Sequence, residues 1–191
     1  MTTSRANELE AIVRASPRVM TVLEGLREVG LPDHWLASGG VYQTVWNALT
    51  GRDPDHGIKD YDAVYYDPDP SWDAEDVWIK RVAAHFAPPL NETVEVRNQA
   101  RVHLWFEAKF GEPYAELHSA AECLERFVCP AFSVGVRLED DGLMSIAAPF
   151  GLDDIFEMRL RPNPNRPLAT GWERVTTSAK ARWPEAVVVQ P

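Results

Sequence analysis

The 191-residue chain predicts an α+β fold, a small mixed β-sheet with flanking helices. Three observations predict it. Helical and strand-like stretches follow one another in irregular order, unlike the regular alternation of a doubly wound sheet. The run IKDYDAVYYD (58–67) has period-two alternation, whereas its neighbours have helical spacing. No repeat, low-complexity tract or linker divides the chain. Residues 1–191 therefore read as one domain, with N-terminal helices over 1–30, a core over 35–100 and a helical and hairpin elaboration over 101–191.

From Asn7 to Ala15, Leu9, Ile12 and Val13 share a helical face. Ser16-Pro17 breaks that pattern and opens a second helix, with Ser16 as its candidate N-cap. Its stripe is Val19, Met20, Leu23 and Leu26, and Gly30 ends it. Trp35 to Ala37 is a short strand running into the turn Ser38-Gly39-Gly40. Val41, Val45, Trp46 and Leu49 mark the next helix, stopped at Gly51. After the strand at 58–67, Ser71 opens a helix whose expected buried face is Val77, Trp78, Val82 and Phe86. ETVEVRN (92–98) reads as a strand, and ARVHLWFEAKF (100–110) and SAAECLERF (119–127) as helices. Asp140-Asp141-Gly142 suits a hairpin turn. A short element starts at Gly151, RPNPNRP (161–167) is a loop, and the last helix spans Glu173 to Arg182.

Net charge is -10 and the pI about 4.9. Such a surface repels a polyphosphate backbone and argues against sequence-independent binding of long nucleic acid. The two cysteines, Cys123 and Cys129, have no nearby His at metal-ligand spacing, so neither a disulfide framework nor structural zinc is expected. No apolar run reaches the ~20 residues of a membrane span. The polar N-terminus has no signal-peptide core, which points to the cytoplasm.

Asp60 and Asp62 share one strand face; Tyr61, Ala63 and Tyr65 take the other. Two carboxylates spaced i, i+2 can converge on a hard cation such as Mg²⁺ or Mn²⁺, as metal-assisted phosphoryl or nucleotidyl transfer requires. The pair alone also fits a hydrated strand end. The Gly39-Gly40 turn adds to it. Adjacent glycines at a helix start let backbone N–H groups approach a phosphate, and Ser38 adds a hydroxyl.

The pattern SGG, nineteen residues, DYD resembles the signature of the DNA polymerase beta-like nucleotidyltransferase superfamily. Val94-Glu95-Val96 resembles the strand that carries its third carboxylate. GGVYQTVWNALTG, IKDYDAVYYD, RNQARVHLW, APFGLDDIF and RPNP, spread between Trp35 and Trp183, are similar to a bacterial family of small nucleotidyltransferase-like proteins. The resemblance implies the polymerase beta-like fold and NMP transfer from an NTP, with release of pyrophosphate. It implies that Ser38, Gly39 and Gly40 hold the triphosphate. Asp60 and Asp62 would bind Mg²⁺ (or Mn²⁺), and Glu95 would complete the metal site and help deprotonate the acceptor. With this acidic charge, the acceptor is expected to be a small molecule or a protein. The rival is a silent nucleotide- or partner-binding module; a third reading is hydrolysis, with water as acceptor.

Near the Glu95 strand, Asn98, Gln99, Arg101 and His103 form a polar cluster. Arg101 is a candidate phosphate clamp, and a structural network explains it equally well. Arg159, Arg161 and Arg166 suit either a local positive patch or isolated salt bridges. Asp153 and Asp154 complement a helix dipole. Lys59 reads as solvated, and Trp46, Trp78 and Trp105 as core.

Overall fold

The computed structural model describes residues 4–166 and 171–190, so Pro167, the end of the expected loop, lies outside the described residues. Helix α1 (Arg5–Arg14) buries Leu9 and Val13 and is capped by Ser4, whose Oγ accepts the Asn7 N–H at 3.3 Å. Helix α2 (Pro17–Val29) ends at Gly30, whose φ of 71° is the left-handed cap that glycine takes without strain. Ser16 occupies the N-cap position of α2 but makes no side-chain cap, and its hydroxyl is buried without a partner.

Strand β1 (His34–Ala37) leads through Ser38 into helix α3 (Gly39–Leu49). Strand β2 (Tyr61–Tyr65) returns antiparallel to β1. Helix α4 (Trp72–His85) and the single turn α5 (Leu90–Thr93) then cross to β3 (Val94–Asn98), which lies parallel to β2. A 3₁₀ turn (Gln99–Leu104) and short α6 (Phe106–Phe110) occupy the expected helix over 100–110. The buried Asn98 side chain caps this turn through the Ala100 N–H, and Gly111 closes α6 with φ 71°. Residues 121–126 are likewise 3₁₀ rather than α.

The expected hairpin is β4 (Gly135–Leu138) and β5 (Met144–Ala147), with Gly142 at φ 81° in the turn. The sheet order is β3-β2-β1-β4-β5, mixed because only β2 and β3 are parallel. Beyond it come α7 (Asp153–Phe156), β6 (Arg159–Leu160), α8 (Trp172–Arg182) and β7 (Val187–Val188). Strands β6 and β7 pair in parallel, a contact between distant chain segments with no local signature. Helix α8 is pinned to α3. Trp183 Nε1 donates to Asn47 Oδ1 at 2.9 Å, and Arg182 donates to Gln43 Oε1 and the Gly57 carbonyl.

The two faces of the sheet differ. Leu36, Tyr61, Ala63, Tyr65, Val94 and Val96 join the core beneath the helices. On the other face, Trp35, Ala37 and Val64 pack against Leu117, Ala120, Cys123 and Leu124. Two expected core positions are wrong, Val77 and Trp105, the latter packing in neither core. Val77 is 62% exposed, while Glu75 is fully buried. Trp78, Val82 and Phe86 follow the i, i+4 row that faces the core, and Val77 lies about 100° away from Trp78 around the helix.

Candidate functional site

Ser38 takes φ 54° and ψ -126°, a conformation costly for a residue with a side chain and concentrated at functional turns. Its carbonyl accepts the N–H groups of Val41 and Tyr42, but its side chain makes no helix cap. The first amides of α3 are thus not occupied by the Ser38 hydroxyl. Gly40 is required by close packing. A Cβ there would meet Tyr61 Cδ1 at 3.0 Å and Leu36 Cδ1 at 3.3 Å. A Cβ on Gly39 would lie 2.9 Å from Gln43 Nε2 and 3.8 Å from Asp60 Oδ1. The turn therefore abuts the first carboxylate.

Register assembles the rest. Ala37, Asp62 and Glu95 stand in one row across β1, β2 and β3, and side chains in register point the same way. Asp60 lies one residue before β2. Asp62 carries the mark of crowded charge. Burial, then the Asp60 and Glu95 charges, push its carboxyl up to about 7, against the opposing pull of the Ser38 hydroxyl and Arg97. Glu95 is exposed, and Arg97 Nη2 lies 3.5 Å from its Oε2.

Among the described residues, no three His, Cys, Asp or Glu side chains converge at metal-holding spacing. The donor chemistry nonetheless fits a hard divalent cation. All three donors are carboxylates, and their mutual repulsion at Asp62 is what such an ion relieves.

Two cavities open on Asp62. A narrow one of about 170 Å³ includes Glu95, Arg97, Gln99 and Trp105 in its lining. A larger one of about 450 Å³ has aromatic walls from Trp105, Phe106 and Tyr114 and a rim of Arg126, Arg166 and Arg174. Arg166 is held by Glu112, whereas Arg126 and Arg174 have no ion-pair partner among the described residues. Sequence reasoning missed Arg126, Arg174 and the position of Trp105, because only folding brings segments 105–127 and 174 to Asp62. Cys123 lines both cavities, and burial pushes its thiol well above the usual range, which keeps it protonated and inert. A cavity of about 700 Å³ between α2 and the end of α4 has none of these carboxylates in its lining.

Other expected residues fall elsewhere. Arg101 follows β3, beyond Asn98, at the far end of the strands from Asp60. Its Nη1 meets Glu75 Oε2 at 2.5 Å and its Nε donates to the Pro70 carbonyl. Glu75 also accepts the Asn98 N–H at 2.9 Å, so these residues bolt α4 to β3. His103 has a buried Nδ1 with no partner. The Arg159, Arg161 and Arg166 side chains are ion-paired, the first two with Asp154 and the third with Glu112. Lys59 is exposed.

The sequence matches the family model described as "Nucleotidyltransferase" over residues 24–188. The chain belongs to this nucleotidyltransferase family. The match spans the Ser38-Gly39-Gly40 turn, all three carboxylates and all of α8. Among solved structures, the chain is similar to a protein whose NMR structure is described as revealing a CCA-adding enzyme head domain. The TM-score is 0.78 at 24% identity, over 97% of this chain and 96% of that one. That likeness shows the nucleotidyltransferase head fold. No curated protein matches the sequence. Family membership supports NMP transfer as the general activity, and among the described residues no helix is long and apolar enough to cross a membrane.

Proposed function

We propose that the protein is a divalent-metal-dependent nucleotidyltransferase. An acceptor hydroxyl or phosphate oxygen attacks the α-phosphorus of an NTP, the bond from that phosphorus to the bridging oxygen breaks, and pyrophosphate leaves. The observation that carries this reading is the convergence of the Gly39 turn with Asp60, and of Asp62 with Glu95 in the adjoining strand. Ser38, Gly39 and Gly40 would bind the triphosphate through backbone N–H groups and the Ser38 hydroxyl. Arg126 and Arg174, which have no ion-pair partner among the described residues, offer cations in the same cavity system. Asp60, Asp62 and Glu95 would hold Mg²⁺ (or Mn²⁺), which when bound neutralises phosphate charge and makes the acceptor oxygen more acidic. Glu95, the most exposed of the three, would take the acceptor proton. We assign Arg101 to the scaffold of the site rather than to phosphate, because Glu75 and Pro70 already occupy its donors. The acidic surface favours a small molecule or a protein as acceptor over long nucleic acid. Two buried free thiols suit a reducing cytoplasm, and we read residues 1–191 as a single catalytic domain.

A silent binding module is the second reading, favoured by the Glu95–Arg97 contact, which gives the third carboxylate a partner other than a metal ion. Calorimetry of the four NTPs with Mg²⁺ or Mn²⁺, on wild type and on Asp60→Asn and Asp62→Asn, tests the site. Binding should need metal and both aspartates, and pyrophosphate release should fall at least 100-fold in either variant. Metal-dependent binding without pyrophosphate release, across an acceptor screen, would establish the module instead. Free NMP as the product would indicate hydrolysis.

A further inference from the structure

Beside the carboxylates lies a groove of about 590 Å³ lined by Trp72, Arg97, Arg101, Trp105, Ala108 and Lys109. Its lining holds three cations, two indoles and no acid, on a chain whose net charge is -10. Lys109 has no ion-pair partner among the described residues, and its Nζ lies 5.4 Å from the Trp105 ring centroid. Trp72 is 54% exposed, a large apolar ring left in water at the first turn of α4. Arg101 sits over it at 5.3 Å, and because Glu75 is buried behind Arg101 the side chain is held still beneath solvent. Arg97 and Trp105 line both this groove and the narrow cavity that includes Asp62 and Glu95 in its lining, so the groove adjoins that cavity on the β3 side.

We infer that this groove is the acceptor site and that it takes a nucleotide unit, with a flat base against Trp72 or Trp105 and a phosphate at Lys109 and Arg97, while Arg101 stays with Glu75 and supports Trp72. Indoles that flank cations match the two chemistries of a nucleotide, a π-face and an anion. An uncharged acceptor would leave Lys109 with no ion partner among the described residues, and an anionic acceptor lacking a ring would leave the exposed face of Trp72 in water. The inference sharpens the acceptor in the reading above and rests on it, since the groove matters to transfer only if Asp60, Asp62 and Glu95 act on an NTP. The nucleotide unit has two sources, a free mononucleotide-type molecule or the end of a single strand.

The test is fluorescence anisotropy in metal-free, low-salt buffer. The probes are fluorescein-labelled AMP and a labelled eight-nucleotide single-stranded RNA, and the proteins are wild type, Trp72→Ala, Lys109→Glu and Asp60→Asn/Asp62→Asn. At least one probe should bind wild type, weaken about tenfold or more in each groove variant, and weaken as salt rises. The carboxylate variant should bind at least as tightly as wild type, because it removes negative charge near an anionic probe, and weaker binding by it would overturn the assignment to the groove. Equal affinity for both probes assigns a free nucleotide-type acceptor, and RNA binding at least tenfold tighter assigns a strand end. Absence of binding by both probes, or binding unchanged in both groove variants, overturns the inference. Trp72 and Lys109 are exposed, so both variants should fold, which circular dichroism checks. Failure of the parent reading looks different. NTP calorimetry would then show no metal- or aspartate-dependence, whatever the groove does.

Discussion

The two faces of the five-stranded sheet are built from the same strands and have opposite tolerances. Along β2, Tyr61, Ala63 and Tyr65 are buried under helices, while Asp62 between them reaches the cavities on the other side. The helical face is filled by apolar contacts, and the charge buried there, Glu75, is paired with Arg101. The opposite face is only partly covered, by the 117–124 segment, and past its edge three carboxylates stand close enough to repel one another. Concentrated charge is destabilising by itself and persists where function requires it. The apolar face supplies the stability that the charged face subtracts.

Moving a carboxylate by one residue is the harshest way to break this contrast. Ala63→Asp places a charge on the face where Ala63 is fully buried. The expected cost is several kcal/mol, on the order of a domain's whole stability, because no partner is there to accept it. Urea unfolding should show the variant largely unfolded in water, and a native-like transition would contradict the assignment of faces.

Asp62→Asn sharpens the contrast from the other side. Its carboxyl titrates at about 7 in the folded protein, against an unfolded value of 3.8. Below pH 3.8 both states hold the proton and the residue has no effect on stability. Between about 4 and 7 the unfolded state ionises first, so wild-type stability falls as pH rises, and the full cost is present above 7. In metal-free buffer the asparagine variant should therefore match wild type near pH 4 and exceed it by about 1–3 kcal/mol at pH 8. Saturating Mg²⁺ should narrow the gap by stabilising wild type alone. A pH-independent difference in Tm would remove the claim that Asp62 is crowded by like charge.

The smallest effect sits where the faces meet. Gly40→Ala puts a methyl against Tyr61 and Leu36, both on the apolar face, while shifting the turn that abuts Asp60. Stability should fall by about 1–3 kcal/mol, and metal-dependent NTP affinity should weaken with it. Loss of stability with NTP affinity unchanged would separate the turn from the site.

Much of this was legible in particular residues. The alternation from Tyr61 to Tyr65 specified which side chains enter the core, because a strand repeats every two residues. Pro17, Gly30, Ser71 and Gly142 punctuated the helices and the hairpin where expected, because capping and turn chemistry are local. Ser38-Gly39-Gly40 and the Asp60–Asp62 pair marked the candidate site through their spacing together with the family resemblance that it carries. Other features had no local signal. Val77 was misplaced because an apolar residue in a helix does not reveal which way it faces, and Glu75 was overlooked because a buried carboxylate is intelligible only beside Arg101.

The sequence by itself determined the α+β class, the elements of the core and the residue types available for chemistry, since each rests on periodicity, caps or close spacing. Tertiary structure alone decided that Glu95 stands beside Asp62, a matter of parallel strand register across a helical crossover. It also decided that Arg101 serves Glu75, that Arg126, Arg174 and Trp105 line a cavity with Asp62, and that Trp72 and Lys109 line the groove that Trp105 shares with it. Those are contacts between segments tens of residues apart, set by how helices and sheet pack together, and no local rule carries that information.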